Sequence, residues 1–494
     1  MDLDPDDFNP DVDRLVHLDL KGAPPKISYL KQIIPMLKDW GATGFLLEYE
    51  DMFPYSGDLR CLACPQAYSI EDVQELQNLA SASDMKIIPL VQTFGHFEFV
   101  LKHPQFHHLR ELHQFPMVLC PLKSGSLPLI CQMIDQILQL HPNATHIHIG
   151  ADEVYHLGLC EDCQRSMKES NMSDAMELFF RHIQNVLGHL NTSYPYITAI
   201  MWDDMFRNTD LEMLKASGLP SLVEPMVWFY EREVKLPEGM WDRYSNAFQH
   251  VWVASAFKGA TGPCVFATDI SYHIENHKSW LNVVRTEIRP KFGCFRGFCL
   301  TGWQRYDHYA ILCELLPVGL PSLAINLLIF YKGIYSESVH LKVSYDLKFP
   351  TKMAVHSPHS MLTPVQECDF PGSKIFIGVH QLIFLKHEYR LLKANERMNG
   401  WMSYHHCKNN FTNPAHLIHF LPEAEQILAK LLEWKQNMNN ALLEVFSQET
   451  ADEFFEVLIN NKIEKVRKII KATEEQVQVQ YQPYRYSKFQ KPSS

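Results

Sequence analysis

The sequence predicts an α/β fold, a (β/α)8 TIM barrel carrying a C-terminal helical extension. Three observations point there. Eight short runs rich in β-branched and aromatic residues alternate with longer amphipathic stretches over about 320 residues, the rhythm of parallel strands buried between helices. Polar and charged residues gather just after each run, where the loops of a barrel carry its chemistry. Past Tyr345 that rhythm stops and only helical periodicity continues.

The runs, in order, are 15–20, 44–49, 86–92, 145–150, 197–202, 223–229, 248–255 and 297–303. Several are apolar on both faces, which suits strands covered on both sides. Between them, 27–40 repeats apolar residues at helical spacing and stops at Gly41. Ser69 caps a helix to Ala82 that opens on Glu71 and Asp72, and 127–140 ends before Pro142. The most apolar long stretch, 311–331, contains Glu314, Pro317, Pro321 and Asn326, so it reads as a buried helix and not a membrane span. The expected order is a tail (1–12), the barrel (13–344), a Pro- and Ser-containing linker (345–375), a C-terminal helical region (376–480) and a flexible tail (481–494). Helical patterns in the last third cover 381–395, 422–446 and 451–476. The basic stretch 462–471 reads as a solvated helix face.

The composition narrows the function classes. Of 494 residues, 46% are hydrophobic and 21% charged, which excludes a disordered, collagen-like or coiled-coil chain. Lys and Arg total 45 against 57 Asp and Glu, a net charge of −12, which argues against a nucleic-acid binder built on phosphate neutralisation. The N-terminal residues have neither a basic region nor an apolar core, so no secretory signal is expected. The expected compartment is the cytoplasm, extending to the nucleus, with the 12 cysteines reduced.

The most informative segment is His146-Ile-His148-Ile-Gly150-Ala-Asp152-Glu153, an apolar strand that ends in Gly and then presents two adjacent carboxylates. Paired carboxylates are the tools of glycoside hydrolysis. On a regular strand neighbouring side chains point to opposite faces, but past the strand end the backbone can turn and bring both to one ligand. Two sequence neighbours suit a mechanism in which the substrate supplies the nucleophile. Taken alone, an Asp-Glu pair also fits a helix N-terminus stabilised by the dipole.

His148-Ile-Gly150-Ala151-Asp152-Glu153 resembles the H-x-G-[A/C]-D-E signature of family 20 glycoside hydrolases, the β-N-acetylhexosaminidases. The resemblance extends in order over EYEDMFPY (48–55), IPLVQTFGHFEFVLKHP (88–104), HIGADEVYHLG (148–158), WDDM (202–205), WVASAFKGATGP (252–263) and TGWQRYDHYAILCELLPVGLPSLA (301–324). It is strongest to the cytoplasmic and nuclear branch of that family, and it implies a retaining enzyme acting through an oxazolinium intermediate. Carried over, Glu153 would protonate the leaving oxygen and then activate water, its pKa raised by the charge next door. Asp152 would orient the 2-acetamido group of the substrate. Trp202, Trp228 and Trp303 match the tryptophans that line the sugar pocket, and Gly95-His96 matches a Gly-His whose His supports the acid.

Three positions depart from the family pattern. Gln92 replaces an Asp, Gln304-Arg305 follows Trp303 where Gly-Glu is usual, and Phe257-Lys258-Gly259 replaces a Trp-Tyr pair. Glu98, Asp203 and Arg305 become the candidates for binding sugar hydroxyls. The resemblance implies that N-acetylgalactosamine is favoured over N-acetylglucosamine. Two alternatives stay open, a non-catalytic glycan-binding barrel and an enzyme like the protein O-N-acetylglucosaminidases. The expected partner is a glycan or glycoconjugate with a terminal β-linked N-acetylhexosamine, with at most a second copy in a homodimer, no nucleic acid and no membrane span.

No cofactor is expected. Two C-x2-C pairs, Cys61/Cys64 and Cys160/Cys163, lie after the second and fourth runs. They are candidates for a zinc quartet if the two loops converge, and otherwise read as a redox pair or plain thiols. The histidines at 103, 107, 108, 405 and 406 lack a ligand spacing and read as surface or helix residues.

Overall fold

A computed structural model describes residues 12–172, 174–355, 366–409 and 411–478. Eight strands close into a parallel barrel: β1 (Asp13–Asp19), β2 (Gly44–Glu48), β3 (Lys86–Leu90), β6 (His146–His148), β7 (Thr198–Trp202), β8 (Val223–Trp228), β9 (His250–Lys258) and β10 (Cys294–Gly302). Around the barrel the order is β1-β10-β9-β8-β7-β6-β3-β2. Each of the eight runs contributes one strand, the ends differing by a few residues. The third and fourth strands stop earlier than their runs because the chain leaves the ladder there to form loops. β3 and β6 share a single paired position, Leu90 with His148. Between them the chain inserts an antiparallel hairpin, β4 (Arg110–Leu112) and β5 (Phe115–Leu119), for which the run pattern gave no sign.

The barrel interior is filled by side chains from alternating strand positions, among them Leu15, Leu46, Ile88, Ile200, Trp202, Met226, Trp252 and Cys299. A packed interior of this kind leaves room for a ligand only at the strand ends. The outer helices follow their sequence patterns. Ile27–Asp39 buries Ile27, Leu30, Ile33, Ile34 and Leu37 on one face. Ile70–Ala82 starts in a capping box, with Ser69 accepting from the Asp72 N–H and the Asp72 carboxylate accepting from Ser69. Leu316–Lys332 is buried nearly all round, with Pro317 in its first turn and Gly333 at its end. Its one buried amide donates to Ser322 Oγ at 3.2 Å. No helix among the described residues is long and apolar enough to cross a membrane.

The chain divides into two compact units. The first takes the described residues up to 355 together with Gln366–Ser373 and Val445–Ser447. The second takes Lys374–Glu444 and the described residues from Gln448 onward. Most described residues of the expected linker 345–375 thus belong to the barrel unit, and Phe349, Met353 and Phe370 are buried. Apolar side chains at three separated positions gave that stretch enough area to pack. Residues 1–11, 356–365 and 479–494, which include most of the expected tails, lie outside the described residues. The second unit has its own core, where Trp434 donates to the Gly378 carbonyl at 2.8 Å and stacks near Phe454. Of the basic stretch 462–471, Ile463 and Val466 are buried, while Lys465, Arg467, Lys468 and Lys471 are exposed.

Candidate active site

The strand ends of the first unit enclose a pocket of about 200 Å³. Asp152, Glu153, His96, Trp202, Trp228, Trp303 and Arg305 all line it. The carboxylate pair reaches it through an unusual backbone. Gly150, Ala151 and Glu153 all have positive φ, at 63°, 67° and 51°. Non-glycine residues resist this region at about 1–2 kcal/mol each, so the surrounding contacts must hold the turn in place. This turn lets consecutive side chains face one ligand. His96 Nε2 lies 3.1 Å from Glu153 Oε2 and 3.5 Å from Asp152 Oδ2. His96 itself has a φ of 48°. A Cβ on the preceding Gly95 would sit 1.9 Å from the Asp152 carbonyl oxygen, so only glycine lets the two loops close on each other.

The electrostatics divide the pair. Asp152 is nearly fully buried, and desolvation, with Glu48 and Glu153 nearby, raises its pKa despite His96. Its Oδ1 is buried with no hydrogen-bond partner among the described residues. Glu153 is more exposed, and its pKa is lowered, first by the His96 hydrogen bond. That corrects the expectation of a raised Glu153, because the His96 cation donating directly outweighs the burial that works the other way. Tyr155 also donates to Glu153 Oε1 at 3.0 Å. For His96, burial disfavours the charge, but Asp152, Glu153 and Glu98 outweigh it and push the pKa up to about 10. The proton of this cluster therefore rests on the imidazole.

Asp204 completes the arrangement and was missed in favour of its neighbour. Its carboxylate accepts from the Glu153 N–H at 2.9 Å and from Trp228 Nε1 at 3.2 Å, tying the carboxylate loop to a pocket wall. Burial, with Asp152 close by, pushes its pKa up to about 7. Asp203 points elsewhere: it is fully buried, clasped by Arg207 at 2.6 and 2.9 Å and by Tyr244 at 3.0 Å, and does not line the pocket. In an Asp-Asp dipeptide past a strand end, sequence alone does not say which carboxylate turns inward. Glu98, at the start of the short helix Glu98–Leu101, is buried and also absent from the walls.

The polar wall consists of Lys21, Glu48, Gln92 and Arg305. Lys21 Nζ lies 3.1 Å from Glu50, 3.2 Å from Asp19 and 3.7 Å from Glu48. Burial works against ionising Glu48, but Lys21 and His17 outweigh it and hold its pKa far below the carboxylate range. Lys21 and Arg305 follow the first and last runs, and Glu48 and Gln92 lie at the ends of the second and third; of the four, only Arg305 was singled out as a sugar-hydroxyl candidate. Tyr230, whose ring stacks on Trp228 with centroids 5.2 Å apart, joins the aromatic wall and was not singled out. Lys258, at the seventh-strand departure, donates to the Trp303 carbonyl at 2.8 Å and holds that wall from behind.

Among the described residues the candidate quartet of Cys61, Cys64, Cys160 and Cys163 does not assemble. Cys61 is exposed and its thiol is nearest the Asp58 carbonyl, within its own loop. Cys160 and Cys163 meet Cys120 and Glu111 instead.

A match to glycosyl hydrolase family 20, catalytic domain, spans residues 34–234. Hexosaminidase D from Homo sapiens is 40% identical over 469 residues, covering 94% of this chain and 94% of its own length. The chain belongs to glycosyl hydrolase family 20. Another relative, Hexosaminidase D from Bos taurus, is 47% identical over 333 residues, covering 67% of this chain and 95% of its own length. A solved structure of similar fold is a β-N-acetylhexosaminidase from Bacteroides fragilis, at 15% identity and a TM-score of 0.50, covering 69% of this chain and 70% of that one. The family 20 match includes β6 and the Asp152–Glu153 turn.

Proposed function

We propose that this family 20 β-N-acetylhexosaminidase is an exo-acting, retaining enzyme that removes terminal β-linked N-acetyl-D-galactosamine and N-acetyl-D-glucosamine by substrate-assisted catalysis. The observation that carries the reading is the convergence of Asp152 and Glu153 on one His96 nitrogen inside a small tryptophan-walled pocket. A carboxylate pair that acts as acid and nucleophile flanks the scissile bond from two sides. These two rise from one strand end and meet one imidazole, which favours a nucleophile from the substrate itself.

The 2-acetamido carbonyl oxygen attacks C1 and forms an oxazolinium ring as the glycosidic bond breaks. Asp152 Oδ1, buried and unpartnered, accepts the acetamido N–H and stabilises the positive charge that develops there. Glu153 gives a proton to the leaving oxygen, a proton it shares with His96. It then takes a proton from the water that opens the ring, and the second inversion at C1 restores the β configuration. Trp202, Trp228 and Trp303 offer flat apolar faces to the sugar ring and the acetamido methyl group. Lys21, Glu48, Gln92 and Arg305 take the hydroxyl contacts. Galactosamine is favoured, in keeping with the resemblance. The enzyme works in a reducing compartment, the cytoplasm and nucleus, where its twelve thiols persist.

Aryl N-acetylgalactosaminides and N-acetylglucosaminides, with and without a thiazoline inhibitor, test this directly. Glu153→Gln lowers turnover by about 10²–10⁴-fold, the usual share of a general acid. Near-wild-type turnover in that variant overturns the assignment, and a wild-type chain that binds but cleaves neither glycoside is the glycan-binding alternative.

A further inference from the structure

Behind the carboxylate loop lies a cluster that hydrolysis does not use. Glu111 comes from β4, Cys120 directly follows β5, and Cys160 and Cys163 lie at the start of the helix Glu161–Glu169. One ligand atom of each residue lies within 4.8 Å of those of the other three. Cys120 Sγ is 3.5 Å from Cys160 Sγ and 3.6 Å from Cys163 Sγ. Cys163 Sγ is 3.3 Å from Glu111 Oε2. Zn–S bonds near 2.3 Å and Zn–O bonds of 2.0–2.2 Å make a tetrahedron with sulfur–sulfur edges of about 3.8 Å and sulfur–oxygen edges of about 3.5 Å. The observed separations are close to those edges. They are far from the disulfide length of about 2.05 Å.

The carboxylate is already oriented. Glu111 Oε1 accepts the N–H groups of Leu159 and Cys160, at 2.7 and 2.9 Å, which leaves Oε2 facing the thiols. Such outer hydrogen bonds are how metal-ligating carboxylates are held. Glu111, Cys120 and Cys163 are buried, and Cys160 is half-buried. A set of three sulfurs and one oxygen, with no place left for a substrate, is a structural site.

We propose that Glu111, Cys120, Cys160 and Cys163 bind one zinc ion that clamps the β4–β5 hairpin to the loop descending from Glu153. The clamp lies next to the catalytic cluster on both sides. The hairpin holds the turn around His96, since the Phe97 N–H donates to the Met117 carbonyl at 3.0 Å and the Leu119 N–H to that of Phe94 at 3.3 Å. Cys160 follows Glu153 in the other loop. The ion thus fixes, from behind, the two loops whose His96 and Glu153 meet in the pocket. Metal binding at this site does not depend on the hydrolytic mechanism and is read as bound metal.

Metal content of the purified full-length chain tests it, together with titration of zinc against a chromophoric chelator. Wild type carries about one zinc per chain or takes it up on titration, and zinc shields three thiols from alkylation. Cys61→Ser combined with Cys64→Ser leaves this unchanged. Cys120→Ser and Cys163→Ser abolish tight binding. Glu111→Gln, which preserves shape should the serine variants fail to fold, weakens it by about 10–100-fold. Fewer than about 0.2 zinc per chain with no uptake or thiol protection overturns the proposal. So does zinc retained at full affinity by Glu111→Gln, or a disulfide within the trio in the isolated protein.

Discussion

In the proposed mechanism His96 decides how the two carboxylates divide their work. It sits within hydrogen-bond reach of Glu153 and close to Asp152, with its pKa pushed up to about 10. Because Glu153 and His96 share one proton, the competent charge state is lost only when the imidazole finally titrates. The alkaline limb of kcat/KM in the wild type therefore lies far above the carboxyl range. In His96→Asn, a residue that tolerates the left-handed backbone there, Glu153 must keep the proton alone. Losing the cation raises the pKa of Glu153 from its lowered value, yet leaves it a carboxyl group. The alkaline limb then moves to lower pH by more than about two units. A pH–rate profile on an aryl glycoside reads the shift, and an unmoved limb removes His96 from the proton inventory. At this scale the sequence revealed the residues with distinctive neighbours. Asp152, Glu153 and the tryptophans stood out by signature and strand position, whereas the choice between Asp203 and Asp204 depended on which side chain Arg207 and Tyr244 capture.

The pocket exists because the turn after β6 and the turn after β3 touch backbone to backbone at Gly95. In Gly95→Ala the new methyl carbon meets the Asp152 carbonyl oxygen and one loop must retreat. The expected cost is about 1–3 kcal/mol of stability, read by urea unfolding. Turnover falls by about 10²-fold, since displacing a catalytic group by an ångström costs that much. Unchanged turnover at unchanged stability would mean that the two loops do not depend on this contact. The strands were legible because burial on both faces demands continuous apolar runs. The β4–β5 hairpin was not, because its short strands have only partial burial and carry no alternating pattern. For the same reason the partners of Cys160 and Cys163 were misjudged: Cys120 and Glu111 arrive on that hairpin, far from any C-x2-C spacing.

In the molecule as a whole, the pocket belongs to the barrel unit, since all its lining residues fall between Lys21 and Tyr306. The barrel was legible from rhythm alone, since eight strand–helix units leave few other closures. The boundary near residue 345 was less so, because a segment with scattered Phe and Met packs as readily as it links. In the proposed reaction the substrate's own acetamido group, oriented by this pocket, is the nucleophile. That role is tested most directly by kcat/KM of the full-length chain on aryl β-glycosides whose 2-acetamido methyl carries zero to three fluorines. Fluorine weakens the carbonyl oxygen as a nucleophile, so the rate falls at each step, by more than about tenfold over the series, and the 2-hydroxy glycoside is not cleaved measurably. Equal rates across the series, or comparable cleavage of the 2-hydroxy glycoside, would contradict the account.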